Sequence, residues 1–129
     1  SRTVCPSAAP PFFAFSLRKK QSCVYQKRFF ISEMTLGELL YGAQCSDRPS
    51  ENIRAVHVFC QYVTILPTAN IWNEFAVQKA FLRKKGQLIE DADIIIGTTA
   101  IINNMVMVTE NVKHIGRLNG IVVVNWMEK

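Results

Sequence analysis

The amino-acid sequence predicts an α/β fold in which helices cover both faces of a mostly parallel sheet, giving three layers. The prediction rests on apolar residues that recur at helical spacing in several stretches. These stretches alternate with short continuous apolar runs of the kind that form buried parallel strands. The 129 residues, 49% of them hydrophobic and 19% charged, suit one domain with a real core. No apolar run approaches the ~20 residues that a membrane-spanning helix needs, so we expect no membrane partner.

The regular part of the sequence starts near Phe29, and helices and strands alternate from there onward. We predict a strand or helix entry at 29–31, helices at 35–43, 50–61, 69–85 and 93–104, strands at 63–66, 105–109 and 121–124, and a helical turn at 111–115. Thr35 and Glu38 have the spacing of a capping box, and Thr68 is the predicted cap of the third helix. Gly86 follows three basic residues and is expected to end that helix.

The net charge of +5 belongs to the first quarter of the chain. Residues 1–32 hold six basic side chains and no acid, whereas 33–129 hold nine basic and ten acidic side chains, a net of −1. We therefore divide the chain into an atypical basic segment, 1–28, and a regular domain, 29–129. The composition of 1–28 favours a solvated, poorly ordered tail; binding of phosphate backbones through counterion release is the alternative.

The cysteines are predicted to be reduced thiols of a cytoplasmic protein. They form no C-x-x-C pair, and neither His57 nor His114 has zinc-finger spacing, so a structural zinc site is not expected. The aliphatic content also makes a disulfide framework unnecessary. Glycine-rich nucleotide loops and the G-x-S-x-G elbow are absent from the sequence.

The remaining candidates for chemistry are acids that flank predicted strands or helix starts. In an open α/β sheet, sites form at the carboxyl ends of the strands, where Glu38, Asp91, Asp93 and Glu110 could gather. Each acid also has a structural explanation. Glu38 could complete the capping box, Asp91 or Asp93 could be an N-cap, and Glu110 could be a solvated loop charge.

Four motifs in a fixed order bear on this choice. They are S-x-x-T-x-x-E-L-x-x-G at 32–42, G-x-x-I-x-x-x-D-x-x-I at 86–96, V-T-E-N at 108–111 and G-I-V-V-V-N-W at 120–126. Together they resemble the signatures of PIN-domain ribonucleases, in particular the VapC toxins of bacterial toxin–antitoxin pairs. The resemblance covers about three quarters of the chain, and four motifs in the family order are far more specific than one.

The resemblance implies a PIN-like fold and a metal-dependent endoribonuclease that cleaves structured RNA such as transfer RNA. It implies that Glu38 and Asp93 are catalytic, metal-binding carboxylates, with Asn111 at the position of the family's last acid and Asp91 as the alternative to Asp93. The expected cofactor is Mg²⁺ or Mn²⁺, a hard cation that takes oxygen ligands and can orient a water for in-line attack. The expected partners are RNA, a cognate antitoxin and a second copy of the chain.

The N-terminal segment departs from the family pattern. The family's first strand ends in D-T-N, but this sequence has no acid before Glu33, and Ser16 stands where the acid is expected. We therefore expect a first strand that is atypical or missing, and weak nuclease activity. A shifted reading frame or wrong start in the source gene and a genuinely divergent N-terminus both explain the departure. The alternative function is a catalytically inactive PIN-like module that binds an antitoxin or itself.

Residues 83–85 have two interpretations. Arg83, Lys84 and Lys85 could contact phosphates of an RNA. They could equally complement the dipole at the end of the third helix.

Overall fold

The structure, a computed structural model, describes residues 14–17, 29–109 and 112–125. In chain order the elements are β1 (Ala14–Leu17), β2 (Phe30–Ser32), α1 (Glu33–Gln44), α2 (Pro49–Cys60), β3 (Thr64–Leu66), α3 (Trp72–Lys84), α4 (Asp91–Ile102), β4 (Met105–Thr109), α5 (Val112–Ile115) and β5 (Val122–Asn125). The alternation of helices and strands that the sequence predicts is confirmed, and the strand at 105–109 has the predicted bounds.

The five strands form one sheet in the order β3-β2-β1-β4-β5. β2 is parallel to β3 and β4 is parallel to β5, whereas β1 runs antiparallel to both of its neighbours. Four strands therefore point the same way and end at one edge of the sheet, which we call the carboxyl edge. The mostly parallel sheet is confirmed, and its central strand is the exception.

Helices cover both faces of this sheet. Successive side chains of a strand point to opposite sides, so apolar strand residues are available for packing on each face. Ile31 and Ile65 pack with residues of α1 and α2. Their neighbours Phe30 and Leu66 instead pack in a second cluster, the central cluster, whose buried members are Ile96, Ala100, Met105, Met107 and Ile115. A third cluster joins α3 to α4. The predicted three-layer arrangement of helices on both faces of the sheet is thereby confirmed.

The first helix begins earlier than predicted, and the reason is its cap. Ser32 is the N-cap, and its Oγ accepts a hydrogen bond from the backbone N–H of Thr35 at 3.0 Å. Thr35 is therefore inside α1 rather than at its cap, and Glu38 lies near the middle of the helix. The capping-box interpretation of Thr35 and Glu38 is wrong, because Ser32, three residues upstream, caps the helix first.

Two other predicted helix starts are also wrong. α3 starts at Trp72, four residues after Thr68, because Thr68 directs its hydroxyl to the carboxylate of Glu33 instead of to a helix. α4 starts at Asp91 with Glu90 as its N-cap, so neither Asp91 nor Asp93 caps it. Both lie in its first turn, where negative charge interacts favourably with the helix dipole.

Two further findings concern the chain's organisation. Residues 14–17, from the segment that we divide off at residue 28, pair with strands of the 29–129 domain. Among the described residues, no helix has the length and apolar character needed to cross a membrane.

Candidate active site at the carboxyl edge

Polar side chains mark the carboxyl edge, where the ends of parallel strands form binding sites in α/β sheets. Ser32 ends β2, Thr109 ends β4 and Asn125 ends β5. The side chains of Ser32 and Thr109 are buried, so these groups are part of the protein interior rather than a solvated rim. Because α1 follows β2 directly, the first turn of α1 also lies at this edge.

Glu38 is half-buried on the face of α1 that meets the central cluster. Met34, one helical turn earlier, packs against that cluster, and residues four apart on a helix share a face. The position of Glu38 in the middle of α1 removes its capping role. The structural explanation for this acid, as one that completes a capping box, therefore does not apply.

Asp93 is almost fully buried, with 8% of its surface exposed, in the first turn of α4. Ile96 and Ala100 lie three and seven residues further on, on the same face, and both belong to the central cluster. α1 and α4 pack against each other. Helical spacing thus puts Glu38 and Asp93 on the two helix faces that meet at one cluster.

Asp91 occupies a different environment from Asp93. It is exposed at the start of α4, and its Oδ1 lies 2.9 Å from Nζ of Lys79 on α3. The ion pair directs this carboxylate toward α3. Of the two acids, Asp93 is the one on the face shared with α1.

Asn111 and Glu110 lie outside the described residues. The part that they would play therefore stays a prediction. The described chain reaches the carboxyl edge at Thr109 and resumes at Val112 in α5.

The position in the centre of the sheet is taken by a strand without an acid. The residues of β1 are Ala14, Phe15, Ser16 and Leu17. The antiparallel register pairs Ser16 with Val106, near the start of β4, and pairs Ala14 with Val108, near its end. Ser16 therefore lies toward the edge opposite to the carboxyl edge, where α1 begins.

Glu38 and Asp93 are the predicted acids whose helices pack together, so they are the described residues that could hold a hard divalent cation. Mg²⁺ is commonly held by one or two carboxylates and keeps several waters, which matches a pair of acids such as Glu38 and Asp93. Within the described residues, no group of three or more acid, histidine or cysteine side chains could hold a metal ion. Residues 14–17, 29–109 and 112–125 thus provide fewer clustered charged ligands than the four acids predicted from the sequence.

One polar contact at this edge is not predicted from the sequence. Oε1 of Glu33 accepts hydrogen bonds from the backbone N–H of Thr68 at 3.1 Å and from its hydroxyl at 3.0 Å. This ties the loop after β3 to the first turn of α1. The partners are 35 positions apart, so no local pattern indicates the contact.

Comparison with known proteins points to one family, although no protein-family model matches the chain. It is 33% identical over 98 residues to Ribonuclease VapC2 of Haemophilus influenzae, covering 75% of this chain and 74% of the relative. It is 31% identical over 103 residues to the tRNA(fMet)-specific endonuclease VapC of Salmonella typhimurium, covering 77% and 76%.

Solved structures agree with this result. DNA-bound VapBC from Salmonella typhimurium matches with a TM-score of 0.72 and 31% identity over 75% of this chain and 74% of that one. VapBC-1 from nontypeable Haemophilus influenzae matches with a TM-score of 0.75 and 28% identity over 83% and 81%. The fold, the order of its motifs and these identities together show that the chain belongs to the VapC family of PIN-domain ribonucleases.

Proposed function

We propose that this protein is a VapC-type endoribonuclease toxin whose active site lies at the carboxyl edge, with Glu38 and Asp93 as the metal-binding carboxylates. The observation that carries the proposal is the packing of α1 against α4, which brings the faces bearing both acids together. Burial of Asp93 in the first turn of α4 supports its role, because backbone N–H groups there stabilise a negative carboxylate.

The chemistry follows from the two acids. Bound Mg²⁺ or Mn²⁺ would neutralise charge on an RNA phosphodiester and orient a water for in-line attack. Glu38 and Asp93 would hold the cation from two different helices, both of which pack against the central cluster, α1 through Met34 and α4 through Ile96 and Ala100. Asn111 is the proposed neutral ligand or water-holding residue from the chain that follows β4.

We further propose that activity is weak, because β1 contributes no carboxylate at the centre of the sheet. A carboxylate about 4 Å from a cation is worth roughly 4 kcal/mol per pair of unit charges at an effective dielectric of 20. Losing one such ligand lowers cation affinity even after desolvation is subtracted. The antiparallel direction of β1 adds to this, since Ser16 lies toward the opposite edge.

Names of the relatives support the proposed substrate and partners. One relative is a tRNA(fMet)-specific endonuclease, which supports structured RNA such as transfer RNA as the substrate. The matching solved structures are VapBC complexes, which supports a cognate antitoxin as a protein partner. A homodimer is proposed from the family resemblance alone.

A second candidate is a non-catalytic PIN-like module that still binds an antitoxin or itself. The reversed, acid-free central strand favours it, because the fold is retained while a ligand position is lost. The two candidates differ in whether Glu38 and Asp93 bind a cation.

The experiment measures cleavage of transfer RNA by the purified protein with and without Mg²⁺ or Mn²⁺, together with calorimetric titration of the metal. We expect slow, metal-dependent cleavage that Glu38→Gln and Asp93→Asn each abolish. The matched controls are Glu51→Gln on α2 and Asp47→Asn in the preceding turn, both exposed acids, which should leave cleavage unchanged. A protein that binds no metal in the calorimeter and cleaves no transfer RNA would favour the non-catalytic module.

A further inference from the structure

The C-terminal end of α3 is closed by backbone hydrogen bonds and carries consecutive basic residues. Gly86 has φ of 68°, and the backbone N–H of Gly86 donates to the carbonyl of Arg83 at 3.0 Å. The N–H of Gln87 donates to the carbonyl of Leu82 at 2.9 Å, which completes a Schellman motif. Arg83, Lys84 and Lys85 are therefore held on an ordered helix end and are all exposed.

A fourth basic residue reaches this end from another part of the chain. Nη1 of Arg117, which follows α5, donates a hydrogen bond to the carbonyl of Gln87 at 3.3 Å. The ammonium of Lys85 lies 4.9 Å from the centre of the Phe81 ring. We call Arg83, Lys84, Lys85 and Arg117 the basic end of α3; residues 83–89 contain no acid.

The basic end of α3 lies next to the start of the helix that bears Asp93. The loop after Gly86 runs directly into α4, and the Lys79–Asp91 ion pair holds the start of α4 beside α3. Asp93 lies six positions after Gln87, so the two residues are at most about 20 Å apart even in a fully extended chain. A positively charged surface thus flanks the acidic end of the candidate site.

We propose that the basic end of α3 binds backbone phosphates of the RNA whose cleavage is assigned to the carboxyl edge; this rests on the proposed function. Exposed Lys and Arg side chains on an ordered helix end are typical phosphate contacts, and they position a nucleic acid without reading its sequence. The alternative, complementing the helix dipole, accounts for Arg83 and Lys84 but not for Arg117, which belongs to another segment. The convergence of two segments on one loop favours a binding surface.

The test measures binding of a fluorescein-labelled oligouridylate by anisotropy in EDTA, so that binding is read without cleavage. We expect Arg83→Gln/Lys84→Gln to bind at least about fivefold more weakly at 50 mM salt and to lower the slope of log affinity against log salt by about 1.4, or about 0.7 per lost contact. The control is Arg48→Gln/Arg54→Gln, which removes the same charge from α2 and its N-cap and should keep the wild-type slope.

The proposal is overturned by an absence of binding by the wild-type protein, by equal loss of binding in both double variants, or by an unchanged slope accompanied by a lower melting temperature. The last result identifies a dipole role. A change in molecular mass of Arg83→Gln/Lys84→Gln by light scattering, with RNA binding intact, would instead make this surface a protein interface. Binding is measured without metal and cleavage is measured with it. Phosphate binding by the basic end of α3 can therefore be disproved while metal-dependent cleavage is observed, and it can be observed when cleavage is absent.

Discussion

Gln78 on α3 and Asn119, 41 positions later, are joined by two hydrogen bonds. Nε2 of Gln78 donates to the carbonyl of Asn119 at 2.8 Å, and its Oε1 accepts from the N–H of Asn119 at 2.9 Å. The side chain is 2% exposed and its amide also donates to Glu74. It therefore acts as a backbone-like partner that fixes the turn through Gly120 (φ 89°) into β5.

The first prediction concerns this amide. Gln78→Leu keeps the volume of this buried side chain but removes both of its hydrogen bonds to the backbone of Asn119. We expect the free energy of unfolding to fall by roughly 1 to 3 kcal/mol, since each lost hydrogen bond is worth a net of about 0.5–1.5 kcal/mol. Urea unfolding measures the change. Gln44→Leu, at the exposed end of α1, is the control and should change stability by no more than about 0.5 kcal/mol. Equal effects of the two would show that the amide contributes nothing specific.

The second prediction compares two glycines in helices. A Cβ at Gly97, buried in α4, would overlap the Cδ1 atom of Leu118, whereas a Cβ at Gly37 in α1 has nothing within 4 Å. Gly97→Ala should destabilise by about 1–3 kcal/mol because it overpacks the core. Gly37→Ala should stabilise by up to about 1 kcal/mol through helix propensity. Thermal unfolding measures the two changes, which should lower the melting temperature for Gly97→Ala and raise it for Gly37→Ala.

A double-mutant cycle tests the cause. If overlap with Leu118 is responsible, Gly97→Ala in a Leu118→Ala background should cost clearly less than in the wild type. If the destabilisation of the double variant equals the sum of the two single destabilisations, the strain of Gly97→Ala does not come from Leu118.

The third prediction follows from the direction of β1. Ser16→Asp adds an acid at the position expected from the family, but the register pairs residue 16 with Val106, away from the carboxyl edge. We expect no gain in metal-dependent RNA cleavage. Replacing the N-terminal segment with a strand that runs parallel to β4 and ends in Asp should raise cleavage more than tenfold, since a ligand worth several kcal/mol exceeds the 1.4 kcal/mol of one decade. Full activity of the unaltered chain would contradict the reasoning.

The fourth prediction concerns two thiols. Burial raises the pKa of the Cys60 thiol above its ordinary value, while Cys45 is exposed. Iodoacetamide reacts with the thiolate, so alkylation of Cys60 should be slower than that of Cys45 at neutral pH and should accelerate at higher pH. Peptide-resolved mass spectrometry follows each site. Because the folded state holds this proton longer than the unfolded state, stability from this group is present below the ordinary cysteine pKa and declines as pH rises through the folded pKa.

The sequence pattern predicts those elements whose bounds depend on residues close together in the chain. The strand Met105–Thr109 and the helix stop at Gly86 follow from an apolar run and from a residue that adopts positive φ readily. Helix starts were predicted less well, because Ser32 and Thr35 are both good caps and only the chain's path out of β2 chooses between them.

For the site, the sequence by itself determined the motif order, the acids Glu38 and Asp93, and the lack of any acid before Glu33. Only the tertiary structure decided that Glu38 lies within α1 on a face meeting α4, that Asp91 pairs with Lys79, and that β1 runs against its neighbours. A short apolar strand can form hydrogen bonds in either direction, so its orientation depends on pairing with distant strands rather than on its own residues. Periodicity reports which face of an element is buried, but not which other element covers it.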